Sequence, residues 1–332
     1  MILVCGGAGY IGSHMTAYLQ ERGKEVVVVD SLVMGHRESI KDTKLYVGDL
    51  CDSDFLGKVF SENPIEAVID FAAFSLVGES MTAPLKYFGN NVGGTIALLE
   101  TMLKHDVNKI VFSSTAAVYG KQEVIPIPET AATRPENPYG ASKLMVEDIL
   151  KWCDSCHGLK YSVLRYFNVA GAHPSGNIGE DHSPESHLIP IIAQAALNKR
   201  EKVTIYGDDY LTPDGTCIRD YIHVMDLVEA HDLALGKLRQ QNQSHTYNLG
   251  NGKGFSVKEV IETFEKVIGR TIPKEVANRR PGDPAVLIAG SEKAMTKLNW
   301  QPKYNSLETI ISTAWNWHSK NPYGYARSVL NE

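Results

Sequence analysis

Through the first half of the chain, short β-branched runs alternate with stretches whose apolar residues recur at helical spacing, the pattern of a parallel sheet covered on both faces. The runs Ile2–Val4, Glu25–Val29, Lys44–Val47, Ala67–Asp70, Lys109–Ser113 and Tyr161–Leu164 predict six strands. About 20 to 40 residues lie from one run to the next, room for a crossover helix. Helical spacing predicts helices over Ser13–Arg22, closed by Gly23, and over Val92–His105 and Tyr139–Cys153. The fold class is therefore α/β, a doubly wound parallel sheet. After about residue 170 the texture changes, with Ala-His-Pro-Ser-Gly and then several Asp, Gly and Pro residues between Gly207 and Gly215. Helical stretches follow at Leu188–Asn198, Asp226–Gln240 and Ser256–Ile268, the last opened by the capping box Ser256-Val-Lys-Glu259. This predicts a first domain over residues 1–180 and a smaller mixed α/β domain over 181–332, with a crevice between them at the strand ends.

The 332 residues suffice for about two domains and a large core. Lys+Arg 33 against Asp+Glu 39 gives a net charge of −6 without a basic block, which argues against nucleic acid and anionic membrane as partners. No apolar run approaches the roughly 20 residues that span a bilayer, and Val26–Val29 ends at Asp30. The N-terminus has no signal-peptide pattern, and five cysteines, an odd count, fit a reducing compartment, so a cytoplasmic location is expected. Cys153-Asp-Ser-Cys156 has the spacing of a redox or metal pair but lacks a second pair, and no metal site is expected.

Ile2-Leu-Val-Cys-Gly6-Gly-Ala-Gly9-Tyr-Ile-Gly12 runs from a strand through a glycine turn into a helix. Gly6, Gly9 and Gly12 form G-x-x-G-x-x-G, which lets the backbone turn tightly and approach a pyrophosphate at the helix N-terminus. Asp30 ends the next strand, where its carboxylate would accept hydrogen bonds from the adenosine ribose and repel a 2′-phosphate, favouring NAD over NADP. Asp49 reads equally as an adenine contact or a turn aspartate. Phe71-Ala72-Ala73 after the fourth strand would let a cofactor lie close to the backbone.

Tyr139-Gly-Ala-Ser-Lys143 places a phenol and an ammonium one turn apart at the start of a helix, and Ser113-Ser-Thr115 ends the fifth strand at the crevice. A Lys⁺ and an oxidised nicotinamide would favour the phenolate, which could remove an alcohol proton as hydride leaves. Thr115 would hold that alcohol and relay the proton.

The glycine loop, the Ser/Thr after the fifth strand and Tyr-x-x-x-Lys together resemble the extended short-chain dehydrogenase/reductase family. Gly6–His14, Asn90-Asn-Val, Ser113–Gly120, Arg165-Tyr-Phe-Asn168, Gly207-Asp-Asp-Tyr, Asp214–Asp226 and Arg279–Asp283 narrow the likeness to its UDP-glucose 4-epimerase branch, over nearly the whole chain. The resemblance implies a Rossmann-type domain with tightly held NAD, a UDP-sugar domain, a homodimer paired through two helices of the first domain, and reversible C4 epimerisation through a 4-keto sugar. It implies Tyr139, Lys143 and Thr115 as catalytic residues. For the cofactor it implies Gly6, Gly9, Tyr10, Ile11, Gly12, Asp30, Asp49, Leu50, Phe71, Ala72, Ala73, Asn90, Ser113 and Phe167. For the substrate it implies Arg219 and Arg280 on the pyrophosphate, Asn168, His187 and Leu188 on the nucleotide side, Tyr206 at the uracil and Asp283 at the uridine ribose.

The chain departs from this pattern in places. Ser75 stands where the family commonly has a Lys on the cofactor, which implies a looser grip on NAD, and Thr115 replaces the usual Ser while keeping the hydroxyl. Val286, near the position that gates the sugar's 2-substituent, leaves room for UDP-N-acetylglucosamine. The family's dehydratases carry Asp-Glu after the Thr and its decarboxylases a nearby Glu; here Ala116-Ala117 follow, and two alanines cannot supply the extra acid and base. UDP-N-acetylhexosamines, UDP-pentoses and UDP-uronates remain alternative epimerase substrates. A non-catalytic NAD-sensing module is the alternative of another class, and its expected mark, a degraded Thr-Tyr-Lys set, is absent.

Overall fold

The structure is a computed structural model that describes residues 1–280 and 282–325. Its first part runs β1 (Ile2–Cys5), α1 (Tyr10–Gln20), β2 (Val26–Asp30), β3 (Lys44–Val47), α2 (Ser53–Glu62), β4 (Ala67–Asp70), α3 (Val77–Thr82), α4 (Pro84–Tyr87), α5 (Gly94–Lys104), β5 (Lys109–Thr115), α6 (Pro138–His157) and β6 (Lys160–Tyr166). There follow β7 (Asn168–Ala170), α7 (Leu188–Ala196), β8 (Val203–Tyr206), β9 (Ile218–His223), α8 (Val224–Gln241), β10 (His245–Leu249), β11 (Gly254–Ser256), α9 (Val257–Ile268), β12 (Lys274–Ala277), β13 (Val286–Leu287), α10 (Glu292–Lys297) and α11 (Leu307–Lys320).

Seven parallel strands form the main sheet in the order β10-β6-β5-β4-β1-β2-β3. Alternation along each strand decides which layer a side chain joins. Ile2 and Val4 pack with Met15, Leu227 and Leu235 of α1 and α8, whereas Leu3 and Cys5 pack with Leu56, Leu98 and Val146 of α2, α5 and α6. Both faces are covered, so the central strands β1, β2 and β4 are almost wholly apolar and buried.

The six expected strands are present, and the seventh, β10, comes from beyond residue 180. So does α8, which packs beside α1 on the first sheet. The chain crosses out after β6, returns to the main sheet with α8 and β10, and leaves again. The smaller part joins β7, β11 and β13 to β9, pairs β8 with β12, and packs α7, α9 and α11 around Ile192, Phe264 and Ile310. The capping box at the start of α9 is formed, Ser256 accepting from the Glu259 N–H while Glu259 accepts from the Ser256 N–H.

Candidate active site

At the end of β1 the chain turns through Gly6, whose φ of +68° is open to glycine and strained for other residues. A Cβ on Gly12 would lie 2.0 Å from the Gly6 carbonyl oxygen, so the helix can start this close to the turn only with a glycine there. The Asp30 carboxylate locks the loop from the next strand end, accepting from the Ala8 N–H at 2.9 Å and the Leu32 N–H at 2.8 Å. A carboxylate has about four acceptor positions, so two remain for ribose hydroxyls. A cleft opens here, lined by Gly6, Gly9, Asp30, Asp49, Leu50, Phe71, Ala72, Ala73 and Asn90. A glycine turn at a helix N-terminus facing a carboxylate fits a dinucleotide. The lining also includes Val33, Met34 and Gly35 from the loop after β2, which carried no motif.

Other expected cofactor residues serve nearby. Tyr10 donates its hydroxyl hydrogen to the Gly171 carbonyl at 2.6 Å, and Ile11 packs against the core. The Ser113 hydroxyl is bonded to the Tyr166 hydroxyl, and Phe167 is buried with Ala116 and Tyr119. Asp49 accepts from the Cys51 N–H at 2.8 Å, a turn aspartate that also faces the cleft. Ser75 is exposed.

Asn137 caps α6, accepting from the Gly140 N–H at 2.8 Å, and Pro138 occupies the first turn. Spacing of four then puts Tyr139, Lys143 and Glu147 on one face of that helix against β5. Burial raises the Tyr139 pKa, and the neighbouring Thr115 side chain lowers it in part. Lys143 does not support the phenolate directly here. Its ammonium donates to the Ser113 carbonyl at 2.9 Å and lies 4.7 Å over the Phe112 ring. Burial lowers its pKa to about 8, against the upward pull of Asp70 and Glu147.

One group the motifs did not mark lies behind this pair. Glu147 is fully buried; it accepts from Ser114 Oγ at 2.5 Å and from Arg165 Nε at 3.0 Å. Arg165 also donates to the Tyr119 hydroxyl, which in turn donates to Asn248 Oδ1 of β10. Glu147 follows Lys143 by one helical turn, and that spacing was the available signal.

Across the crevice, register connects the catalytic strand to the substrate residues. Thr115 is opposite Tyr166, Asn168 begins β7 two residues later opposite Tyr221, and Arg219 lies two residues from Tyr221 on β9. Val286 of β13 pairs with Ile218. Asp283 is held by two arginines, at 3.3 Å from Arg219 and 2.9 Å from Arg280, and the Arg280 guanidinium lies 4.9 Å over Tyr206. The expected Arg219, Arg280, Asp283 and Tyr206 are thus brought together, with Asp283 engaging the arginines. His187 precedes α7 and Leu188, with its Nδ1 bonded to Glu180 and its side chain half exposed.

A model of the NAD dependent epimerase/dehydratase family matches residues 2–250. The chain belongs to that family. It is 59% identical over 325 residues to a UDP-glucose 4-epimerase of Halalkalibacterium halodurans, covering 98% of this chain and 97% of the relative. A crystal structure of a UDP-glucose 4-epimerase superposes with a TM-score of 0.96 at 56% identity, covering 98% of this chain and 99% of the other. The enzyme from Bifidobacterium longum, solved with NAD⁺ and UDP, superposes with a TM-score of 0.93 at 41% identity, covering 97% and 99%. The family's cofactor fits the glycine cradle and the Asp30 carboxylate at its mouth. Among the described residues no helix is long and apolar enough to cross a membrane.

Proposed function

We propose that the protein interconverts UDP-glucose and UDP-galactose by epimerisation at C4. The observation that carries this reading is that Thr115 ends β5 while Tyr139 and Lys143 lie on the buried face of α6 packed against that strand, Lys143 donating to the Ser113 carbonyl, in a fold whose β1 end opens a glycine-lined cleft. NAD⁺, when bound, supplies a hydride acceptor for C4 and a positive charge beside the phenol. Tyr139 takes the proton of the 4-hydroxyl and later returns it, and Thr115 orients that hydroxyl and relays the proton. Lys143, fixed on the Ser113 carbonyl, holds a cation behind the phenol. Arg219 and Arg280 bind the UDP pyrophosphate, releasing Asp283 to the ribose; Tyr206 meets the uracil, and Asn168 and Leu188 bound the nucleotide side.

Because the keto sugar must present either face at C4, the grip is on UDP and the sugar is held loosely. Ala116, buried, and Ala117 follow Thr115 in a short 3₁₀ turn and offer no acid or base for elimination. Val286, small and half-buried on β13, supports acceptance of an N-acetyl group at C2. The protein works in the cytoplasm, supported by five free cysteines, and as a homodimer, supported by exposed apolar side chains on α5 and α6. Purified protein given UDP-galactose without added NAD should form UDP-glucose. No conversion, even with NAD added, would overturn the reading.

A further inference from the structure

The loop leading into α7 carries a cluster that the expectation of no metal site did not include. Glu180, His182, Glu185 and His187 each offer one ligand atom, and these atoms lie within 4.8 Å of one another. The carboxylates of Glu180 and Glu185 are each only 4% exposed. Two carboxylates this deep and this close repel one another unless a cation compensates them. Among the described residues their ion pairs are with histidines alone, with no Lys or Arg. His182 Nδ1 lies 3.2 Å from Glu180 and 3.9 Å from Glu185; His187 Nδ1 contacts Glu180 and lies 3.9 Å from Glu185. Both imidazoles therefore aim the same nitrogen at the same two carboxylates.

We propose that these four residues bind one Zn²⁺ ion in a closed tetrahedral site. Ligand atoms about 2.0–2.2 Å from a zinc ion stand about 3.3–3.6 Å apart in a tetrahedron, so the widest spacing here, up to 4.8 Å, closes by about 1 Å while His187 Nδ1 and Glu180 move apart to admit the ion. Two imidazoles and two carboxylates favour a first-row metal over Mg²⁺ or Ca²⁺, which take oxygen ligands in higher number. The +2 charge neutralises the two carboxylates. The site ties the loop to both halves of the molecule: the Glu180 carbonyl accepts from Trp317 Nε1 of α11 at 3.1 Å, and the His182 ring packs edge-on to Tyr10 of the glycine-loop helix. Resting on the proposed function, the ion has a second effect. With Nδ1 of His187 on the metal, Nε2 must carry the hydrogen, which makes it a fixed donor beside Leu188 on the nucleotide side.

The test uses full-length protein stripped by a chelator and titrated with Zn²⁺ against a chromophoric competitor, in a Cys51→Ser/Cys153→Ser/Cys156→Ser background so that the accessible thiols cannot compete. One Zn²⁺ per chain is expected, with Co²⁺ giving the intense visible band of tetrahedral coordination. His182→Asn and Glu180→Gln, checked for folding by circular dichroism, should each weaken binding by about 100-fold or more, the upper end of what losing even an indirect contact costs. Zn²⁺ and not Mg²⁺ should raise the Tm of the parent. Equal zinc binding by parent and variants, or none by the parent, overturns the proposal and leaves two His–Glu ion pairs. None of these readouts uses epimerase activity, so this result and that of the UDP-galactose assay stand apart.

Discussion

Burial raises the Tyr139 pKa and Thr115 lowers it in part, while Lys143 is bonded to the Ser113 carbonyl, so at the scale of the residue the proposed proton acceptor relies on one hydroxyl neighbour and on the charge that the cofactor would bring. Tyr139→Phe removes the proton acceptor and little volume; kcat should fall by roughly 10²- to 10⁴-fold, the usual worth of a positioned acid–base group, with bound NAD retained by absorbance. Full activity in that variant would transfer the proton step elsewhere. If Val286 gates the sugar's 2-substituent as proposed, the parent should turn over UDP-N-acetylglucosamine, and Val286→Tyr should suppress that reaction more than the one on UDP-glucose. Absence of any turnover of the N-acetyl sugar by the parent refutes this. His231, behind the cofactor cleft, has its ring 4.8 Å from Phe71, Nδ1 2.9 Å from the Leu227 carbonyl oxygen, and a buried Nε2 without a partner. Burial lowers its pKa from its ordinary 6.5 to about 4. Between these values the unfolded chain binds a proton that the fold refuses, so this residue makes stability fall as pH drops through that window, by up to about 1.4 kcal/mol per pH unit. Urea unfolding at several pH values should show that His231→Met removes one proton's worth of this slope, and an unchanged slope would refute the assignment.

The element that matters most is α6, because one helix face carries Tyr139, Lys143 and Glu147 and its cap sets where that face begins. Asn137→Ala leaves the Gly140 N–H without its acceptor and should cost about 1 kcal/mol. Since Tyr139 is two residues from the cap, kcat should fall more than KM rises. A stability loss with unchanged kinetics would show that tertiary packing alone positions the helix. This helix was legible in the sequence, as were the first six strands and the α9 capping box, because each buries an apolar stripe or uses a local hydrogen bond. β10 was not. His245-Thr-Tyr-Asn-Leu249 alternates polar residues into the sheet because Asn248 is spent on a buried network, its Nδ2 donating to the Ile127 carbonyl at 2.8 Å and its Oδ1 accepting from Tyr119. Local periodicity cannot register a polar side chain whose partners lie more than a hundred residues away. The glycine loop, Asp30 and Tyr139–Lys143 were readable because each lies within one strand-turn-helix segment. The Asp283 clasp on two arginines and the Glu–His loop cluster depend on how separate segments meet.

At the scale of the whole molecule, the chain crosses between the two parts after β6 and after β10, and the residues proposed for catalysis and nucleotide binding all come from a single chain. A dimer is then not needed to complete the site, but the surface away from the crevice argues for one. On α6, Met145 and Trp152 lie two turns apart on one face and are 49% and 71% exposed, and Ile96 of α5 is 40% exposed. A Trp left in water on a helix that otherwise buries its apolar face marks an interface more often than chance exposure. Pairing of two copies through α5 and α6 would cover these residues and leave both crevices open. Trp152→Glu places two like charges at the centre of such a contact, where losing a buried aromatic anchor costs about 2 kcal/mol or more of binding. Light scattering should therefore find the parent as a dimer and Trp152→Glu/Met145→Glu as a monomer, with kcat per chain within a few-fold of the parent. A parent that is already monomeric, or a variant that stays dimeric, would place the contact elsewhere; a monomer without activity would mean that the partner copy supports α6, and through it Tyr139.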